Sequence, residues 1–293
     1  MTLASCDSRK TAGENPFFTE WDTPHGVPPF DKILPEHFMP AFERGMSLHE
    51  AEIDAITSNK DEATFENTIL AYDDAGQMLA QTELVFGMLC AAETNDRMQA
   101  LQEQAMPLLA AHRDKIRLDD KLFVRVKEVY DRRAALGLDA EQMRLLQKTY
   151  DSFVRAGALL DAEQKARLKE INGQLSLTAV KFGNNILAEN NNFVLELKSD
   201  ELDGLPAGIR DAAREKAQQM GKGDKWVFTL HKPSLIPLLT YSTRRDLREK
   251  IYKAYLNRCN NGDEYDNKQL INDFIRLRTE KAHLLGYPSY AAY

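Results

Sequence analysis

The sequence predicts a mainly α protein, a multi-helix bundle of antiparallel helices with one small β-hairpin. Three observations carry this. Apolar residues recur at spacings of three and four over most of the chain, as one face of a helix requires. Capping residues open many of those runs, and glycine or a polar break closes several. Only residues 192–197 and 226–230 combine short length with β-branched and aromatic content. With 293 residues and 43% hydrophobic content, the chain can bury a sizeable core in one large or two modest domains.

Residues 1–14 are polar and lack an apolar period, which predicts a disordered tail. Within it, Leu3-Ala4-Ser5-Cys6 fits a bacterial lipoprotein cleavage box, although no hydrophobic signal core precedes it. Residues 15–30 are rich in Pro, Gly and aromatics and predict an extended segment docked by its phenylalanines. From Pro35 onward a stripe of Phe38, Phe42, Met46, Ile53 and Ile56 marks the first long helix. After a polar break at 59–62, Thr64 should cap the next helix, with Asn67 replacing the usual Glu or Gln of a capping box. Phe65, Ile69, Tyr72, Leu79 and Met88 then predict the apolar face of one continuous helix. Asn95-Asp96 start another, which should bury Met98, Leu101, Ala105, Leu108, Leu109, His112 and Ile116. Asp119-Asp120 cap a helix with Phe123, Val126, Val129 and Tyr130 inward.

Asp139 opens the longest helical stretch, through Met143, Leu146, Tyr150, Phe153 and Ala156. Gly157 and Asp161 interrupt it, and Leu168, Ile171, Leu175, Ala179, Phe182 and Ile186 resume it. The two runs predict an antiparallel pair. Between the two strand candidates, Leu205-Pro206 opens a short helix that stops at Gly221. Cys90 and Cys259 fall inside helical patterns and read as small buried hydrophobes. Three cysteines cannot form a disulfide framework in a chain this long.

Lys and Arg number 38 against 45 Asp and Glu, a net charge of −7. Without a long basic run this argues against nucleic acid as a partner. No eighteen consecutive residues are apolar, so no membrane span is predicted. Of the six histidines, no two are four residues apart. His49-Glu50-Ala51-Glu52-Ile53 imitates a zinc-binding His-Glu-x-x-His helix, but Ile53 stands where the second ligand must be. There is no Gly-x-Ser-x-Gly elbow, no Cys-x-x-Cys and no phosphate-binding glycine loop. Accordingly no catalytic residue and no metal ligand is assigned, and the substrate-binding residues stay open. The charge run 244–250 reads as surface pairs, Arg245 with Glu249 and Asp246 with Lys250. A role for its arginines in a substrate channel is the second reading.

The end of the chain, 240–293, holds two amphipathic helices joined by a polar loop. Its residues Arg245, Leu247, Arg248, Tyr252, Tyr255 and Arg258, then Asp266, Asn267, Ile271, Leu277, Arg278, Lys281 and Ala282, and finally Leu284-Leu285-Gly286-Tyr287, form an ordered set. This block resembles the start of the catalytic domain in the thimet-oligopeptidase and peptidyl-dipeptidase family of zinc metallopeptidases. Thr64-Phe65-Glu66-Asn67-Thr68 matches another hallmark of that family. The Asn15-Pro16-Phe17-Phe18 stretch, Pro29-Phe30 and Tyr150, Phe153, Val154, Arg155 and Gly157 resemble its peptidyl-dipeptidase branch. The resemblance runs from Asn15 to Tyr293.

That resemblance implies a mostly helical, two-lobed, channel-forming peptidase that admits short or unfolded peptides and releases C-terminal dipeptides. It implies zinc in the full-length parent enzyme, lowering the pKa of a bound water while the motif's Glu handles the proton. It places an N-terminal helical region at 15–225 and the start of the catalytic domain at 226–293, ending before the zinc motif. This chain alone is therefore expected to hold no zinc and to be inactive. The competing expectation is a freestanding helical module that binds peptides or a partner without catalysis. A cytoplasmic location is implied, with a cell-envelope lipoprotein as the alternative if Cys6 belongs to a lipobox. Finally, Ile271, Phe274, Ile275, Leu284 and Leu285 are too widely spread to bury against the helix 243–259 alone. An exposed apolar surface and self-association are expected there.

Overall fold

A computed structural model describes residues 15–293. The predicted tail and Cys6 lie outside the described residues. By their contacts the described residues form two compact units, 15–177 with Thr279–Tyr293, and Thr178–Arg278.

The first unit begins with Phe17 docked as expected, but the segment is not extended throughout: it contains 3-10 turns at Pro16–Phe18 and Pro24–Gly26, and Phe30 is exposed rather than docked. Asn15 donates through Nδ2 to the His37 carbonyl at 2.8 Å, and Phe17 packs on Phe38 with ring centroids 5.4 Å apart. A 3-10 turn, Pro35–His37, leads into helix α1, Phe38–Ser58. The Thr64 cap forms as read from sequence. Asn67 N–H donates to Thr64 Oγ1 at 3.1 Å, and Thr64 N–H donates to Asn67 Oδ1 at 2.8 Å. The segment after this cap is not one continuous helix. A π-turn, Phe65–Leu70, passes into the short α2, Ala71–Asp74, and the chain breaks at Ala75-Gly76 before α3, Gln77–Ala92. The break has a local cause. Gly76 sits at φ 77° and its N–H donates to Glu52 Oε2 at 2.7 Å. A Cβ there would lie 2.9 Å from the His49 ring, so only glycine fits without strain. The shift in register leaves Leu79 buried but turns Met88 to solvent, against expectation.

Helix α4, Asp96–Arg117, is capped by Asn95, and α5, Asp120–Asp131, by Asp119. Leu108 of α4 is exposed, contrary to the sequence reading, while Met98, Ala105, Leu109, His112 and Ile116 are buried. Helix α6, Ala140–Ala156, opens with a reciprocal Asp139–Gln142 cap and closes at Gly157, φ 100°, in the left-handed conformation. Helix α7, Ala162–Asn192, comes next and supplies residues to both units. Two apolar clusters hold the first unit. One gathers Phe17, Phe38, Phe42 and Phe86; the other gathers Phe65, Phe123, Leu146 and Phe153.

The second unit contains the predicted hairpin. Strand β1, Leu195–Leu197, precedes α8, Ala207–Gln219, and β2, Trp226–Phe228, pairs antiparallel with β1. Leu195 stands opposite Phe228 and Leu197 opposite Trp226. Both strands are shorter than the segments read from sequence. At one end α7 runs on to Asn192, and at the other Thr229 N–H leaves the ladder and donates to Ser234 Oγ at 3.0 Å. Helices α9, Lys232–Tyr241, and α10, Arg245–Leu256, close a cluster of Leu195, Leu197, Phe228, Leu235, Leu238 and Ile251. Cys259 is buried as expected, but in the loop after α10 at φ 56° rather than in a helix. Cys90 is only half-buried. Helix α11, Lys268–Leu284, is the last. Among the described residues no helix is long and apolar enough to cross a membrane.

Candidate functional site

Three places carry the chemistry-bearing side chains. The first is the imitation of a zinc motif on α1. The structure brings His112 of α4 to it, with His112 Nε2 and His49 Nδ1 3.0 Å apart. Glu50 does not face that pair of nitrogens. It meets the other ring nitrogen of His112 at 3.5 Å and accepts from Lys115 Nζ at 2.7 Å. Glu52 is taken by the Gly76 N–H. Burial, with His112 alongside, holds His49 below its ordinary pKa, and burial lowers His112 against the opposing pull of Glu50. The hydrogen bond to Lys115 lowers Glu50. This donor set does not fit catalytic zinc. The two imidazoles spend their facing nitrogens on each other, and no carboxylate converges on the gap between them. Among the described residues no group of three His, Cys, Asp or Glu is placed to hold a metal ion.

The second place is the C-terminal block whose residues carry the family resemblance. Most of them support the backbone. Leu247 and Ile251 are buried. Arg258 lies over the Tyr255 ring at 3.9 Å and donates to Asn190 Oδ1 at 2.9 Å. Asn267 is buried, accepts from Asn185 Nδ2 at 2.8 Å and donates to the Phe182 carbonyl at 3.2 Å. Asp266 accepts from the N–H groups of Gly262 and Lys268 and from Lys268 Nζ; with the Lys268 side chain as the largest cause, its pKa falls to about 2. Gly286, φ 82°, ends α11 with Tyr287 N–H donating to the Ala282 carbonyl at 2.8 Å.

The charge run at 244–250 pairs differently from the sequence reading. Asp246 meets Arg244 at 2.8 Å, and Glu249 meets Lys253 at 2.6 Å. Arg244 can reach back because it precedes the helix, and Lys253 lies one turn beyond Glu249 on the same face. Arg245, Arg248, Glu249 and Tyr252 line a shallow depression of about 400 Å³.

The third place escaped the sequence reading. A cleft of about 780 Å³ lies in the first unit, lined by Arg117, Arg144, Lys148, Arg155, Tyr287 and Tyr293, with Asp151 as the one side-chain carboxylate among its lining residues. Arg155 donates to the main-chain oxygen of Tyr293 and lies over its ring at 5.1 Å. Lys281 approaches the same ring at 5.8 Å. Behind the cleft, Lys281 Nζ donates to Asn172 Oδ1 at 2.7 Å, and Asn172 Nδ2 donates to Asp114 at 2.8 Å. Burial raises Asp114 and lowers Lys281, so the amide joins two groups that are each costly to charge. The signal for the cleft was available: Arg144, Lys148, Asp151 and Arg155 recur at four, three and four residues along α6.

With this geometry in view, the chain can be set beside known proteins. The sequence profile described as Peptidase family M3 matches residues 238–293. The dipeptidyl carboxypeptidase of Escherichia coli (strain K12) is 36% identical over 280 residues, covering 95% of this chain and 41% of the relative. The enzyme of the same name from Salmonella typhimurium (strain LT2) is 34% identical over the same shares. Oligopeptidase A of Escherichia coli (strain K12) is 27% identical over 92% of this chain and 40% of its own length. The chain spans about two fifths of the length of these curated relatives.

Proposed function

We propose that this chain, which belongs to peptidase family M3, is the non-catalytic N-terminal portion of a zinc-dependent peptidyl-dipeptidase or oligopeptidase that hydrolyses short peptides. The observation that carries this is 36% identity over 95% of the chain to a dipeptidyl carboxypeptidase of which it spans only 41%. The division at 15–225 and 226–293 is then one of role, with the catalytic domain beginning at the hairpin's second strand. It need not coincide with the division into compact units. No set of described residues fits a zinc site, so no chemical step is assigned to this chain. Its part is to build and hold one side of the peptide channel. We place the parent enzyme in the cytoplasm, with the cell envelope as the alternative attached to Cys6.

The test is the reading frame beyond the Tyr293 codon, and then assay of the extended product. A His-Glu-x-x-His helix downstream, and chelator-sensitive release of C-terminal dipeptides, is the expected result. The 293-residue chain alone should take up no stoichiometric zinc and release no dipeptide. A stop codon directly after Tyr293 would overturn the proposal and favour the freestanding binding module.

A further inference from the structure

We propose that the cleft between α6 and the C-terminal turn of the first unit is a binding site for acidic peptide segments. The proposal rests on the peptide-handling reading only for the class of ligand; the charge argument stands on the cleft itself. The chain as a whole carries a net charge of −7, yet this cleft gathers Arg117, Arg144, Lys148 and Arg155 against one side-chain carboxylate, Asp151, and the main-chain terminus of Tyr293. Its sign is therefore opposite to that of the molecule, and an acidic ligand repelled elsewhere is drawn here.

The four cations are not equally committed. Arg155 is held by Tyr293, and Arg117 lies beside the Tyr72 hydroxyl, whose pKa is raised by burial more than the guanidinium lowers it. Arg144 and Lys148 are exposed and have no ion pair or hydrogen bond within the described structure. Four like charges brought together, two of them uncompensated, repel one another, and an anion relieves that repulsion.

The arrangement favours a peptide over a phosphate. From Arg144 to Arg155 the cations span roughly 16 Å along α6, at 1.5 Å per residue. They read charges spread along an extended ligand rather than converging on one point. No glycine loop lines the cleft to cradle a phosphate with backbone N–H groups. The Tyr293 main chain and ring already occupy one end, accepting from Arg155 through a backbone oxygen and facing the guanidinium through the aromatic face. A peptide carboxylate and an aromatic side chain match those same contacts further along α6.

The test is calorimetric titration of the 293-residue chain with an extended peptide of alternating Glu and Ala, and with its Lys counterpart. The Glu peptide should bind and weaken with added salt, while the Lys peptide should not bind. Arg144→Glu combined with Lys148→Glu should weaken binding about tenfold, the worth of two exposed ion pairs. A control pair in the other unit, Arg210→Glu with Lys250→Glu, makes the same change in net charge and should leave binding unchanged. Thermal melts confirm that both double variants fold, and Arg144→Gln with Lys148→Gln replaces the first if it does not. Equal weakening by both pairs, or no binding of the Glu peptide, overturns the proposal. Binding of tripolyphosphate without the peptide also overturns it, in favour of a phosphate site. Because the readout is binding, it can fail while the parent enzyme still proves to be a peptidase, and it can succeed if no zinc motif is found.

Discussion

The unit 15–177 with Thr279–Tyr293 and the unit Thr178–Arg278 solve the same problem unequally. The first buries whole phenylalanines in layers. Phe38, Phe42 and Phe86 are almost fully enclosed, and their ring centroids lie 4.9–6.3 Å apart. The π-turn at 65–70 and helices α4, α5 and α6 start on Thr64, Asn95, Asp119 and Asp139 side-chain caps, although α1, α2 and α3 have none. The second is built on two three-residue strands, and no side chain caps α8, α9 or α10. It also leaves Tyr252, Leu256, Ile271 and Ile275 about half exposed or more. The first unit leaves comparable groups in water, Leu84, Val124 and Leu159 among them; in the second, two of the exposed groups, Ile271 and Ile275, lie one turn apart on a single face of α11. The first unit is held by two apolar clusters, one of them a layered aromatic core; the second pairs one apolar cluster with an exposed apolar pair on α11.

The sharpest way to break this comparison is to remove a side chain from the first unit's aromatic core. Phe38→Ala should cost about 3–5 kcal/mol, the range for a fully buried Phe. Denaturant unfolding monitored by circular dichroism would measure it. A loss below about 1 kcal/mol would mean that the aromatic layer is loosely packed and that the two units differ less than their burial suggests.

Next in size is Gly76→Ala. The substitution puts a methyl group 2.9 Å from the His49 ring and forces a non-glycine residue to φ 77°. The expected cost is about 1–3 kcal/mol. If the variant were as stable as the parent, the break between α2 and α3 would have to be adaptable, and the register of Leu79 with it.

The histidine pair gives a pH dependence confined to the first unit. Both pKa values are lowered by burial, so the unfolded chain binds more protons than the folded one between those lowered values and the ordinary 6.5. Stability from this source is complete above about 6.5 and is lost as the pH falls below it. The geometry agrees: if both rings are protonated, two N–H groups face each other across 3.0 Å. The groups facing the pair are Glu50, Glu52, Glu83 and Lys115. His49→Gln should flatten the dependence in urea titrations above and below that pH. An unchanged slope would show that groups other than this pair govern stability around that pH.

Much of this was legible in the sequence because it is local. The Thr64–Asn67 reciprocal cap, the Asp139 cap and the Gly157 stop each depend on residues within three positions, and each forms as read. The misread places depend on distant residues. Nothing near Gly76 announces that Glu52 and His49, more than twenty residues earlier, will fix a break there. Met88 and Leu108 keep a helical apolar period, but that break resets the register of one and the other lies at the edge of its stripe. Asp246 and Glu249 chose partners by helix geometry among several candidates at similar spacing. The basic cleft needed α6 to be seen beside Tyr287 and Tyr293, which are more than a hundred residues away. Local chemistry can be read from one segment, while a site assembled from three cannot.

The smallest expected change in stability tests the second unit, and it is the most informative about the comparison. Ile271 is 46% exposed and Ile275 is 61% exposed, one turn apart on α11. Being already in water, they contribute little to the folded state, so Ile271→Gln with Ile275→Gln should alter stability by no more than about 0.5 kcal/mol. Their effect should show in association instead. Burying each isoleucine side chain fully is worth roughly 1.5–3 kcal/mol, so two of them on one helix face favour contact with another copy at high concentration. Light scattering should show the unmodified chain growing in mass with concentration and the double variant remaining monomeric. Amide exchange should give less protection over 268–278 than over α1, because solvent reaches one side of that helix. A strict monomer with full protection across α11 would show that this face is stable bare. The second unit would then be complete as it stands, and the freestanding binding module would replace the portion of a longer peptidase as the better account of the chain.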